Sequence, residues 1–110
     1  MERMSEEAIY QAAKFQVEYF FGQTNYKHDD YLKKAEGPEG WILLSTIFDF
    51  RKFNLFRDYL AIDDLFEVLK LSTVVEVKED IVDYGDEQIV TYYIRKSSLK
   101  LNNQYVNLFG

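Results

Sequence analysis

The sequence contains no cysteine, one histidine, one tryptophan and one proline in 110 residues. Without cysteine there is neither a disulfide framework nor a thiolate metal site. The lone His28 is too little for a histidine-based zinc site, which gathers several ligands around one ion. No apolar run reaches the roughly 18–20 residues that span a bilayer. Residues 1–7 are polar and acidic, unlike the basic-then-apolar start of a secretory signal. The chain also lacks internal repeats, low-complexity tracts, a nucleophile–base pair and a glycine-rich phosphate loop. No catalytic residue, cofactor or metal is therefore assigned, and an enzyme is not expected.

Positive charge is scarce as well. Thirteen Lys and Arg face nineteen Asp and Glu, for a net charge of −6 and a pI of about 4.7. Non-specific nucleic-acid binding depends on neutralising phosphates with Lys and Arg, so bulk charge argues against affinity for long duplexes. Any nucleic-acid function must rest on a local site.

What is present is apolar mass: 47% hydrophobic residues, 17% of the chain being aromatic. That is enough for one modest core in one domain, and it excludes a disordered tail. Ser5 can cap a helix whose first turn holds Glu6 and Glu7, where anions suit the helix dipole. Ile9, Ala13, Val17, Phe20 and Phe21 follow at helical spacing, and Gly22 is expected as a left-handed stop. Further helices are expected over Asp29–Glu36, Leu44–Phe53 and about Leu60–Leu71. Gly37-Pro38-Glu39-Gly40 is the clearest loop. After Ser72 the pattern turns to β-branched and aromatic residues. Thr73–Val82 and Gln88–Arg95, separated by Asp83-Tyr84-Gly85-Asp86, predict a hairpin. Trp41-Ile42-Leu43 suffices only for a short strand completing the sheet. Helices followed by a hairpin give an α+β winged helix. Phe21 and Phe53 are assigned to the core, His28 to a solvated loop and Asn25 to a structural turn.

A DNA-binding winged helix places a basic helix in the major groove. The corresponding helix here carries Asp63, Asp64 and Glu67, with Lys70 only at its end, and the hairpin is acidic too. Duplex DNA is therefore not an expected partner.

The segment Phe15-Gln16-Val17-Glu18-Tyr19-Phe20-Phe21-Gly22, then Asn25, then Asp29-Asp30-Tyr31-Leu32, resembles the start of a La motif. That family reads Gln-(Ile/Val)-Glu-Tyr-Tyr-Phe-Gly, an Asn three residues on, then Asp-x-Phe-Leu. The resemblance continues through Gly40-Trp41-Ile42, Leu44, Ile47, Phe50 and Glu67-Val68-Leu69 to Ile94-Arg95-Lys96-Ser97, covering about residues 9–97. Amphipathicity alone would not produce the run from Phe15 to Gly22.

The resemblance implies a module that binds the last uridines of an RNA ending in UUU-3′OH. By correspondence, Gln16 reads a uracil edge, Tyr19 belongs to the pocket, Asp29 holds the terminal ribose and Phe50 stacks. Phe20 stands where the family has Tyr, and Tyr31 where it has Phe. Physical chemistry suits these roles. RNA is read on unstacked bases by aromatic stacking and by hydrogen bonds to base edges. Gln16 offers an acceptor and two donors. A carboxylate at Asp29 accepts from neighbouring 2′ and 3′ hydroxyls, disfavours a 3′-phosphate and gains less from DNA. Judged without the resemblance, Tyr19 and Phe20 would be core and Asp29 a helix cap.

Two departures mark a divergent member: Gln23-Thr24 replaces the usual Asp-Phe, and the hairpin between Val74 and Ile94 is longer than typical. The expected function is recognition of a uridine-rich RNA 3′ end, on polymerase III transcripts such as precursor tRNA or on one dedicated ribonucleoprotein RNA. The alternative is a protein-interaction winged helix whose acidic face meets a basic partner. The La-motif domain is placed at residues 1–98. Residues 99–110 are expected as a linker or the start of a following RNA-recognition motif, which in this family cooperates on RNA. A monomeric fragment is expected, nuclear by family, or cytoplasmic in a La-related member.

Overall fold

The computed structural model describes residues 5–97; the expected linker or further domain at residues 99–110 lies outside them. Helix α1 spans Glu6–Phe21, and the Ser5 hydroxyl accepts from the Ala8 N–H at 3.1 Å as its cap. Its buried positions are Ala13, Val17, Phe20 and Phe21, one stripe of a 3.6-residue period. Gly22 is not left-handed. It sits extended at φ −67°, ψ 155°, because it is also the residue that opens α2, Gln23–Tyr26. The four residues of α2 are too few to show a period in sequence.

Helix α3 is Asp30–Ala35, capped by Asp29, whose carboxylate accepts from the Leu32 N–H at 3.1 Å. A 3-10 turn over Pro38–Gly40 follows, with Glu39 at φ 61° and Gly40 at φ 83°. It leads into strand β1, Ile42–Leu43. The single helix expected over Leu44–Phe53 is instead α4, Leu44–Phe48, and a 3-10 turn, Arg51–Phe53, followed by α5, Asn54–Arg57. The break falls at Phe50, which takes extended backbone at φ −60°, ψ 143°. Helix α6 is Ile62–Leu69, shorter than the expected Leu60–Leu71. The Asp64 carboxylate accepts from the Ala61 N–H at its start, at 3.0 Å.

Strands β2, Val75–Tyr84, and β3, Glu87–Lys96, pair antiparallel from Val75↔Lys96 to Tyr84↔Glu87. The connection is Gly85-Asp86 alone, since Asp83 and Tyr84 remain paired; Gly85 has φ 59°, as a two-residue hairpin loop requires. β1 adds to β3 with Ile42 opposite Ile94, and the sheet order is β1-β3-β2. The result is an α+β winged helix with the β2–β3 hairpin as its wing.

The core joins the helices to the base of the sheet: Phe21, Leu32, Leu44, Ile47, Phe53, Leu65 and Leu69 meet Ile42, Val75 and Ile94. Phe21 and Phe53 are fully buried, as assigned from sequence. Toward its tip the wing leaves the core, and Ile81, Val82, Ile89 and Val90 are exposed. Its base is pinned to α1. The Ser72 hydroxyl donates to Glu18 Oε2 at 2.6 Å and accepts from the Val74 and Val75 N–H groups. Trp41 lies under the guanidinium of Arg95, 4.2 Å from its ring centroid, and under the ammonium of Lys78 at 4.7 Å. The loop before β1 is thereby fastened to the sheet.

Candidate functional site

The last turns of α1 carry three of the six candidate residues. Tyr19 points to solvent and is 56% exposed, opposite the buried stripe. Phe20 is 3% exposed and belongs to the core. Gln16, one turn earlier, is half-buried between these two directions. Tyr31 stands in the first turn of α3 and is 63% exposed. Phe50 is half-buried in the break between α4 and the following 3-10 turn.

These rings form one contiguous chain. Tyr19 and Phe20 have centroids 6.4 Å apart, Phe20 and Phe50 5.2 Å, and Phe50 and Tyr31 5.5 Å, all edge-to-face. Such contacts suit the quadrupoles of aromatic rings. Phe20 offers no free stacking face, because it lies inside the core with its ring against Phe50. Tyr19, Tyr31 and Phe50 keep exposed surface, with Phe20 as their support.

Asp29 is both cap and candidate ligand. One carboxylate oxygen accepts from the Leu32 N–H; the other accepts from Asn25 Nδ2 at 3.4 Å. The same Asn25 amide donates to the Phe20 carbonyl at 2.9 Å. Asn25 therefore ties Asp29 to the end of α1. An ionised carboxylate has about four acceptor positions, so capping leaves room for a ligand's hydroxyls.

Sequence reasoning missed Arg57. Its Nη1 donates to the Phe48 carbonyl at 2.6 Å and the Phe50 carbonyl at 3.0 Å, holding the non-helical backbone that presents Phe50. No periodic signal marks such a residue. Lys52 was also missed, although it follows Phe50 by two positions; its ammonium lies 6.0 Å from the Tyr19 ring centroid. It brings a positive charge to a site otherwise built from aromatics, the Gln16 amide and one carboxylate. Interleaved basic and aromatic residues in Arg51-Lys52-Phe53 were the available signal. Among the described residues there is no group of three or more His, Cys, Asp or Glu arranged to hold a metal ion. No helix there is long and apolar enough to cross a membrane.

No family model matches the chain. Over 70 residues, 64% of its length, it is 31% identical to La-related protein 1B of Arabidopsis thaliana. Over that stretch the chain is similar to a La-related protein. The match spans 15% of that relative's length, so the chain corresponds to a small part of the larger protein. Of the two polar candidates, Gln16 lies within α1 and Asp29 caps α3, with α2 between them. The Asn25 side chain, on α2, links the end of α1 to the start of α3.

Proposed function

We propose that this chain is a La motif, an RNA-binding module that takes the uridine-rich 3′-hydroxyl end of a single-stranded RNA. The observation that carries this reading is the Asn25 bridge, which sets the Asp29 carboxylate beside the carbonyl of Phe20, the ring that supports Phe50. Terminal bases stack on Phe50 and Tyr31, with Tyr19 and Gln16 available on the adjoining face of α1. The unused lone pairs of Asp29 accept from the 2′ and 3′ hydroxyls of the last ribose through charge-assisted bonds. A 3′-phosphate puts anion against anion at the same place. Protein of net charge −6 can bind RNA there because recognition is local.

The role is binding rather than catalysis. Its targets are polymerase III transcripts such as precursor tRNA, or the RNA of one dedicated ribonucleoprotein, with a neighbouring RNA-recognition motif completing the grip. Such a protein works in the nucleus, or in the cytoplasm if it is La-related. The test compares affinities for a U-tailed RNA with a free 3′-hydroxyl and for the same RNA with a 3′-phosphate. Preference for the hydroxyl is expected; equal affinities would remove the role given to Asp29.

One observation favours a second reading, a protein-interaction winged helix. A groove of about 580 Å³ between α1 and α6 is lined by Glu6, Glu7, Asp64 and Glu67 around Val68 and the exposed Leu71. This suits a basic, partly apolar peptide. Unchanged RNA binding by Gln16→Ala and Phe50→Ala would favour it over the RNA reading.

A further inference from the structure

The fold gathers a second set of side chains beside the aromatic site. An open groove of about 730 Å³ is lined by Thr24, Tyr26, Lys27, His28, Lys33 and Lys96. Lys27 and Lys33 come from the end of α2 and from α3, whereas Lys96 ends β3. The floor is held by packing: the Tyr26 ring stacks on the fully buried Phe21, with centroids 5.6 Å apart and planes at 23°. The Lys96 ammonium lies 5.8 Å from the centroid of the Tyr26 ring. The Lys33 ammonium donates to the Lys27 carbonyl at 2.7 Å, which fixes it while leaving two of its three donors.

The groove is basic in a chain that is acidic overall. Lys14, Lys70 and Arg95 each pair with a carboxylate. Among the described residues, Lys27, Lys33 and Lys96 have no such partner, and no carboxylate lines the groove. Convergence of three ammonium groups with no carboxylate among them is electrostatically unfavourable. A bound anion relieves it.

Position indicates which anion. His28 directly precedes Asp29, and Lys33 follows one helical turn later, its N–H on the Asp29 carbonyl at 3.2 Å. The groove thus adjoins the carboxylate assigned to the terminal ribose. A strand leaving that ribose carries one negative phosphodiester per nucleotide. We propose that the groove formed by Tyr26, Lys27, His28, Lys33 and Lys96 binds the phosphodiester backbone of the same RNA strand, just upstream of its 3′ end. This rests on the 3′-end reading above. It supplies the electrostatic hold that the chain's net charge withholds elsewhere.

The experiment measures binding of a U-tailed RNA to the 110-residue chain between 50 and 200 mM salt, for wild type and for Lys27→Gln/Lys96→Gln. Lys33 is left intact because it has an internal partner. Each lysine set against a phosphate of a single strand adds about 0.7 to the steepness of log K against log salt. The double variant should be shallower by about 1.4, so the fourfold rise in salt should weaken wild type roughly sevenfold more than the variant. Lys27→Arg/Lys96→Arg should keep the wild-type slope. A glutamine variant with unchanged slope and affinity overturns the proposal, as does a polyglutamate peptide that competes as well as RNA of equal charge. The same RNA with a 3′-phosphate, run in parallel, separates the two readings. If the hydroxyl preference persists while the slopes are identical, end recognition stands and the groove falls. If the slopes differ but the two ends bind alike, the groove holds backbone and the role of Asp29 falls. Absence of RNA binding overturns both.

Discussion

The ring of Tyr31 meets the ring of Phe50 edge-on, with centroids 5.5 Å apart and planes at 61°. Tyr31 opens a helix and Phe50 interrupts one, so neither position is dictated by helical periodicity. Phe50 rests in turn on the buried Phe20 at 5.2 Å. This order separates two kinds of substitution. Phe50→Ala removes a stacking face from a half-buried position and should weaken U-tailed RNA by about 1–3 kcal/mol, roughly 5- to 150-fold. Phe20→Ala empties core volume and should cost about 3–5 kcal/mol of stability. RNA titration beside urea unfolding distinguishes them. Wild-type affinity in a folded Phe50→Ala protein would dissociate the ring from RNA.

Asp29→Asn separates the cap from the ligand. Asn and Asp cap helices about equally well, so the Leu32 N–H keeps an acceptor; the long Asn25 contact at 3.4 Å is lost, and the melting temperature should fall only slightly. The amide carries no charge and has a single acceptor oxygen. Preference for a 3′-hydroxyl over a 3′-phosphate should therefore shrink, mainly through improved binding of the phosphorylated end. A variant with wild-type discrimination would make Asp29 only a cap.

Much of this arrangement was legible in the sequence, for identifiable reasons. The caps at Ser5 and Asp29, the stripe through Val17 and Phe21, and the wing follow from local propensity and period. The break in the expected Leu44–Phe53 helix did not, because Leu44, Ile47 and Phe48 continue a helical pattern up to it. Only tertiary contact shows why the chain leaves that pattern: Phe50 reaches Phe20 and Tyr31, and Arg57 holds its backbone. Gly22 misled for a related reason. Glycine after a helix suggests a left-handed stop, but here the next helix begins immediately. Phe20 and Tyr19 are adjacent aromatics, and only the packed structure shows which of them faces the core. The groove was not legible because Lys96 joins Lys27 and Lys33 through the fold alone.

Arg57 is a positioning residue for Phe50. Its Nη1 spans two carbonyls, and hydrogen bonds from a charged group contribute about 1.5–3 kcal/mol. Arg57→Ala should lower stability by about that amount. It should also speed amide hydrogen exchange in residues 50–53 and reduce RNA affinity. Arg57→Lys should restore only part, since the shorter, flexible lysine stem holds its ammonium less firmly at the place of Nη1. Unchanged exchange in residues 50–53 would show that the turn holds itself.

Alkaline pH tests how α6 is tied to the sheet. Tyr92, on β3, stacks on Phe66 with centroids 4.3 Å apart. Its hydroxyl bonds to Asp63 of α6; that bond, then burial and nearby carboxylates, pushes its pKa up to about 12. Tyr10 is likewise pushed up to about 12, first by its hydrogen bond to Glu6 at 2.8 Å. An unfolded tyrosine ionises near pH 10. Because the folded values lie above the unfolded one, the folded state holds these protons more tightly. The stability they contribute is fully present below about pH 10 and is lost as pH rises toward about 12. Tyr10→Phe/Tyr92→Phe should therefore be less stable than wild type at pH 8, and the gap should close between about pH 10 and 12. Comparing the two proteins at each pH cancels the titration of their shared lysines. Urea midpoints that stay equally far apart from pH 8 to 12 would show that these phenols keep no proton the unfolded chain would lose.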